Sequence, residues 1–281
     1  MSVLTDLLEI ISPDVDEEPE DIFACAPGLI FTDDLRNHHG DPGSILVYKS
    51  KKFGDIRLRT ANPNDERERQ LFGQYLWNAG LKIAELISCP GASRTPWNVN
   101  SERVLELGAG VGLSGIVAML AGAQEVVISD YPAPAVLKNI ALNAHENIPN
   151  RLESQYKIQG HEWGEFNDDF ALNNAHSFTK IIAADCYWMP GQHENLAQSM
   201  LHFLTMDPVG RILVAAGFHT GRAKLAAFFD TAVDEGLAVE DIYEEDANGV
   251  RRPWMKERDG GREDHTERKK WLVMAILSRK M

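Results

Sequence analysis

A short apolar run, RVLEL at 103–107, leads straight into Glu106-x-Gly108-x-Gly110-x-Gly112 and then into the small-residue helical pattern LSGIVAMLAG. Buried strand, glycine turn and helix in that order are the context in which a glycine triplet carries meaning. Glycine lets the backbone turn tightly and approach a ligand with no Cβ in the way. The turn falls at the carboxyl end of a first strand, where open α/β sheets bind ligands at a topological switch point. The spacing narrows the ligand. A dinucleotide fingerprint, G-x-G-x-x-G/A, asks for Gly or Ala at 113, where this chain has Leu113. No Gly-Lys-Ser/Thr follows, so the turn is not a Walker A loop either. It reads as a site for a nucleotide-like ligand without a pyrophosphate.

Strand and helix patterns alternate from there on. VVISD (126–130) precedes PAVLKNIALNAHEN, QYKIQG (155–160) is a weaker strand, and KIIAAD (180–185) precedes ENLAQSMLHFL. RILVAA (211–216) precedes RAKLAAFFDTAVDEG, and AVEDIYEE (238–245) and KWLVMAIL (270–277) close the series. Such alternation predicts an α/β fold whose mostly parallel sheet has helices on both faces. Upstream, ILVYKS and DIRLRT around Gly54 predict a β-hairpin over 45–60. Asn64 is placed to cap a helix, with Glu66 and Glu68 in its first turn. That helix is expected to run through QLFGQYLWNAGLKIAELI, with Leu71, Tyr75, Leu81 and Ile83 on one broad face, and to end in the loop 89–100. The domain is read as 45–281, preceded by a leader over 1–44 that is acidic and partly flexible.

Charge is distributed unevenly. The net charge is −14, and residues 1–35 hold ten Asp or Glu with no Lys or Arg. An acidic surface repels phosphate backbones, so no direct nucleic-acid partner is expected. The leader reads as a solvated segment, or alternatively as a guide for a basic protein substrate. Leu4, Leu7, Leu8 and Ile11 have the spacing of a short amphipathic helix. No apolar stretch reaches the roughly 18 residues of a membrane span, and the N-terminus lacks a secretory pattern. Three cysteines, Cys25, Cys89 and Cys186, form no C-x-x-C pair, which suits a reducing compartment and a cytoplasmic location. The nine histidines show no metal spacing, so no metal is expected; nor is a nucleophilic Cys186, which has no recognisable base. Segment 251–270, with eight Lys/Arg and five Asp/Glu, reads as a solvated connection. A monomer is expected.

Two aspartates carry the chemistry. Asp130 ends the second strand 20 residues after Gly110, the spacing of a carboxylate that accepts hydrogen bonds from ribose hydroxyls. Asp185 ends the fourth strand on the same sheet edge, near where a reacting group would point; capping of the following helix is the competing role.

With these residues in place, segment 45–281 resembles the seven-β-strand (class I) S-adenosylmethionine-dependent methyltransferases, in the branch that includes many protein-lysine methyltransferases. GQYLWNAG at 73–80 is similar to that branch's pre-motif, ELGAGVGLSG to its cofactor motif and VVISDYP to its second-strand motif. HEWG at 161–164 resembles the segment whose tryptophan lines the adenine pocket, here Trp163, and AADCYWMPGQHENL at 183–196 resembles the Asp-x-x-aromatic region. RTANPN (59–64) and AGFHTGR (216–222) extend the likeness to fungal nicotinamide N-methyltransferase-like proteins, a group reassigned as N-terminal and lysine methyltransferases of translation elongation factor 1-alpha.

The resemblance implies a Rossmann-like sheet of seven strands and S-adenosylmethionine as cofactor. It would be held by Trp77, Glu106, Gly108, Ala109, Gly110, Gly112, Asp130, Tyr131, Trp163 and Ala184. Asp185, Tyr187 and Trp188 are implied on the acceptor side, with elongation factor 1-alpha as protein partner. An α-amine, titrating near ~7.7–8.0, loses its proton far more readily than lysine near ~10.4. Trp188 stands where the branch usually has Tyr or Phe. Positions 183–188 read Ala-Ala-Asp-Cys-Tyr-Trp in place of the Asn-Pro-Pro-Tyr of enzymes acting on planar nitrogens, which weakens DNA, RNA-base and glutamine substrates. A small-molecule methyltransferase acting on nicotinamide or a similar pyridine, and a non-catalytic binding module, are the competing readings.

Overall fold

Residues 4–11, 38–62, 72–89, 91 and 95–280 are described by a computed structural model of the chain. The elements in order are β1 (Leu8–Ile11), β2 (His38–His39), β3 (Ile45–Ser50), β4 (Gly54–Arg59), β5 (Leu76–Trp77) and α1 (Asn78–Ser88). The alternating series follows as β6 (Arg103–Leu107), α2 (Leu113–Leu120), β7 (Glu125–Asp130), α3 (Pro134–Asn147), β8 (Tyr156–Gly160), α4 (Asp169–Asn174), β9 (Lys180–Ala184) and α5 (His193–Phe203). It ends with β10 (Arg211–Gly217), α6 (Arg222–Glu235), β11 (Leu237–Asp246), β12 (Arg251–Pro253), α7 (His265–Lys269) and β13 (Trp271–Arg279).

The main sheet has the order β12-β11-β13-β10-β9-β6-β7-β8. Strands β10, β9, β6, β7 and β8 pair in parallel, and β13 is inserted antiparallel between β10 and β11. All seven expected strands are present; β12, which pairs with the end of β11, is an eighth. Central strands are mostly apolar because both faces are covered. Successive side chains alternate between two cores. Val104, Ile128, Ile182 and Leu213 join α1, α2, α3 and the hairpin β3–β4 on one face. Leu105, Val127, Ile181 and Val214 join α4, α5 and α6 on the other. Among the described residues no helix is long and apolar enough to cross a membrane.

The segment before the main sheet departs from expectation in two places. Within the described part of the expected 65–88 helix, the helical residues are Asn78–Ser88, and they are preceded by Leu76 and Trp77, which are extended and pair with His39 and His38. Tyr75 therefore lies before the helix, and Leu71, Asn64, Glu66 and Glu68 are outside the described residues. At the N-terminus, the expected amphipathic helix is a 3-10 turn at Leu4–Leu7 followed by β1, which pairs antiparallel with β3. Leu4 and Leu7 are buried, while Ile10 and Ile11 are exposed. The open edge of β3 offers unpaired backbone groups to any extended chain nearby, and that tertiary opportunity outweighs local helical spacing.

Segment 251–270 is largely solvent-exposed, as expected, but it carries β12 and α7 and is anchored by an ion cluster. Arg222, Arg252 and Arg258 surround Glu244 and Glu263, with Arg222 Nη1 at 2.5 Å from Glu244 Oε1 and Nη2 at 2.7 Å from Glu263 Oε1. Arg222 and Glu244 are buried, a setting in which each charge depends on its partners.

Helix α3 ties the hairpin to the glycine turn through asparagines spaced four apart. Asn147 accepts the Arg57 N–H and donates to Arg57 O. Asn143, with no exposed surface, accepts the Arg59 N–H and donates to Arg59 O and Val111 O. Asn143→Ala strands these buried groups and is expected to lower stability by about 1–3 kcal/mol, read as a shift in the denaturant midpoint with an unchanged slope.

Candidate active site

Strands β6 to β10 all end on one edge of the sheet, and each delivers a residue to the same cavity or its margin: Gly108 after β6, Asp130 closing β7, His161 and Trp163 after β8, Asp185 after β9, and His219 after β10. Because β7 and β9 leave β6 on opposite sides, the loops diverge and the crevice between them is the switch point of the sheet.

The three glycines divide the work. Gly108, Gly110 and Gly112 have φ of 65°, 59° and 83°, a region glycine enters at little cost. Gly108 and Gly110 line the cavity. A Cβ at 108 would come within 2.7 Å of Cys186 Sγ and 3.2 Å of the Trp163 ring. Gly112 instead caps α2, and a Cβ there would press on Ile140 and Ile128. Ala109 donates its N–H to Ser129 O. Glu106 is buried, with Oε2 accepting the Gly115 N–H at 2.9 Å in the first turn of α2. Burial pushes its carboxyl up to about 8. Glu106, Ala109 and Gly112 thus brace the turn and are not part of the cavity wall.

Asp130 does line the wall. Its Oδ2 accepts the Gly110 N–H at 2.7 Å and its Oδ1 the Tyr131 N–H at 2.8 Å. Burial still lifts the carboxyl to about 6, against the pull of these two donors. Each oxygen keeps a further lone pair for a ligand hydroxyl. Trp163 lies half-buried in the same wall, with Trp77 and Ala184, and Tyr131 stands exposed on the rim. His161, buried behind them, has an Nδ1 with no protein partner. A carboxylate able to take two hydroxyls, glycines that admit close approach and a flat indole wall fit a nucleoside-bearing ligand such as S-adenosylmethionine.

Asp185 is built differently. It is not the cap of the following helix: α5 starts only at His193, after a 3-10 turn at Pro190–Gln192. The residue has φ 57°, an uncommon conformation for a non-glycine residue, and its N–H donates to Ala215 O. Two donors, Gly217 N–H and His219 Nε2, both at 2.9 Å, converge on Oδ1. Oδ2 is buried and has no partner. Asp185, Trp77, Trp188 and Phe72 stand between the main cavity and a second, apolar recess completed by His219 and Thr220. The Phe72 and Trp188 rings meet edge-on at 5.5 Å, and Trp77 meets His219 at 4.6 Å.

Tyr187 is a correction to the sequence reading. Its side chain is fully buried away from both cavities, against Phe228 at 4.3 Å, and its hydroxyl donates to Ala183 O. Cys186 is also buried, and burial pushes its thiol well above the usual range. Phe72 and His219 are site residues to which the sequence reading gives no role, although His219 lies within the AGFHTGR segment that carries part of the resemblance. For His219 a signal exists, since it lies two residues beyond the end of β10 on the ligand edge. Among the described residues no group of three or more His, Cys, Asp or Glu is placed to hold a metal ion.

Comparison with known proteins gives this geometry a family. A family model described as lysine methyltransferase matches residues 62–233. The protein N-terminal and lysine N-methyltransferase of Candida glabrata is 33% identical over 232 residues, covering 80% of this chain and 83% of its own. The protein of the same description from Schizosaccharomyces pombe is 31% identical over 217 residues, covering 74% and 78%. Two solved structures share the fold. A candidate RNA methyltransferase from Pyrococcus horikoshii has a TM-score of 0.51 at 14% identity, covering 80% of this chain and 93% of that one. A candidate methyltransferase complexed with SAH has a TM-score of 0.53 at 10% identity, covering 85% and 57%. From a family match over most of the sheet and a relative one-third identical over four-fifths of the length, the chain belongs to the lysine methyltransferase family and is an S-adenosylmethionine-dependent methyltransferase.

Proposed function

We propose that this enzyme methylates protein amines, the N-terminal α-amine and/or a nearby lysine of translation elongation factor 1-alpha, and that it does so as a cytoplasmic monomer. The observation that carries the amine is Oδ2 of Asp185, a buried carboxylate oxygen without a partner between the main cavity and an aromatic recess. An unpaired buried acceptor is costly, and an N–H donor arriving through the recess relieves that cost. Protein as acceptor is supported by the descriptions of the Candida and Schizosaccharomyces relatives. Elongation factor 1-alpha rests on the resemblance of segments 59–64 and 216–222 to the fungal group, and the cytoplasmic setting on cysteine usage.

S-adenosylmethionine supplies an already activated methyl group on a sulfonium. The remaining work falls to positioning and water exclusion. In the main cavity Asp130 takes the ribose hydroxyls, Trp163 the adenine, and Trp77, Gly108, Gly110, Tyr131 and Ala184 complete the walls, braced by Glu106, Ala109 and Gly112. On the acceptor side, Asp185 Oδ2 accepts one N–H of the neutral amine and so aims the nitrogen lone pair at the main cavity. Trp188, with Phe72 and Trp77, presents ring faces that stabilise the ammonium formed on transfer.

Two outcomes are expected. Incubation with methyl-labelled cofactor, a cell lysate and purified elongation factor 1-alpha labels one protein band at the elongation factor's mass; label confined to nicotinamide or other small molecules contradicts the proposal. Second, the hydroxyls of bound cofactor or its demethylated product favour the ionised form of Asp130, whose free carboxyl stands at about 6. Affinity for the product is therefore full above that pH and falls below it, by up to ~10-fold per unit. Calorimetry across about pH 5–7 reads this slope, and Asp130→Asn weakens binding and removes the slope.

A further inference from the structure

Asp185 is held asymmetrically, and the one side chain that helps to hold it has no role in the reading above. Both donors that reach the carboxylate converge on Oδ1, Gly217 N–H from the backbone and His219 Nε2 from a side chain, each at 2.9 Å. We propose that His219 is a positioning residue of the acceptor site: its bond to Oδ1 fixes the plane of the Asp185 carboxylate so that Oδ2 alone faces the incoming amine. The amine is the acceptor of the proposed function and the inference rests on that reading; the pairing of His219 with Asp185 does not.

The turn that carries His219 is clamped on every side. Trp77 packs against the ring at 4.6 Å. Beneath it lies Gly217, where any Cβ would collide with the imidazole. Phe218, buried, stacks on Trp254 with the rings 10° from parallel. The Arg222 guanidinium lies 4.2 Å from the Phe218 ring centre and is itself held by Glu244 and Glu263. The ion cluster of 251–263 is thereby the footing of the His219 turn. Side chains locked this way are what precise placement of a reacting group requires.

The imidazole is suited to the task electrically. Burial draws its proton affinity down, but the Asp185 charge and hydrogen bond outweigh burial and the net displacement is upward. A ring so placed keeps its Nε2–H. His219 lines the apolar recess and is absent from the wall of the main cavity, so its loss is expected to be felt by the acceptor and not by the cofactor.

The test compares His219→Ala with His219→Gln, whose side-chain amide can still donate to Oδ1. With purified elongation factor 1-alpha as acceptor, His219→Ala is expected to raise KM for the protein about tenfold or more, as loss of a charge-assisted hydrogen bond implies. Affinity for the demethylated cofactor stays unchanged, and His219→Gln recovers most of the loss. Equal damage from both substitutions, or a parallel loss of cofactor affinity, overturns the positioning role. A second measurement is independent of any acceptor. Titration of the His219 ring by NMR is expected at a higher pH in the wild type than in Asp185→Asn; coincident titrations overturn the pairing. If the wild-type enzyme labels no protein, the proposed function fails and the acceptor role with it, while this titration still decides the pairing of His219 with Asp185.

Discussion

Parallel pairing of β6 with β7 on one side and β9 on the other is the constraint from which the site follows. A chain that leaves β6 and returns first to one flank and later to the other must part its loops above β6, and the gap cannot be filled by sheet. Everything that lines the crevice is set by how far each strand runs before it turns: Gly108 just past β6, Asp130 as the last residue of β7, Asp185 just past β9. The apolar runs that make these strands therefore also fix the spacing of the polar residues at their ends.

Two carboxylates at those ends have been given opposite degrees of satisfaction. Asp130 receives a backbone donor on each oxygen and can add hydroxyl donors on top. Asp185 receives two donors on one oxygen and none on the other. The first arrangement suits a ligand that stays through the chemistry. The second leaves a single directed acceptor, which suits a group that must arrive in one orientation. The aromatic residues Phe72, Trp77 and Trp188, like Asp185, line both the main cavity and the recess.

Much of this arrangement is legible in the amino-acid sequence. RVLEL, VVISD, KIIAAD and RILVAA are dense apolar runs bounded by turn residues, and such runs survive any tertiary context, so the sheet and the positions of Asp130 and Asp185 follow from them. The remainder depends on partners distant in sequence. The extended Leu76–Trp77 pair is drawn out of a helical pattern by His38–His39, and Leu8–Ile11 by the open edge of β3. Tyr187 turns inward because the core beside Phe228 takes a ring, which no spacing near Asp185 discloses. The anchoring of Arg252, Arg258 and Glu263 within 251–270 is not legible because their counter-ions, Arg222 and Glu244, lie on other elements. His219 is hidden for the same reason: its meaning is a contact with Asp185, 34 residues earlier.

The central claim is that the site has two halves, one for cofactor at Asp130 and one for acceptor at Asp185. Calorimetric affinity for the demethylated cofactor, compared between Asp130→Ala and Asp185→Asn, tests it most directly. The account predicts that Asp130→Ala loses most of the affinity, whereas Asp185→Asn binds as the wild type does yet transfers methyl groups poorly. Equal loss of affinity in both variants, or normal turnover by Asp185→Asn, would contradict it.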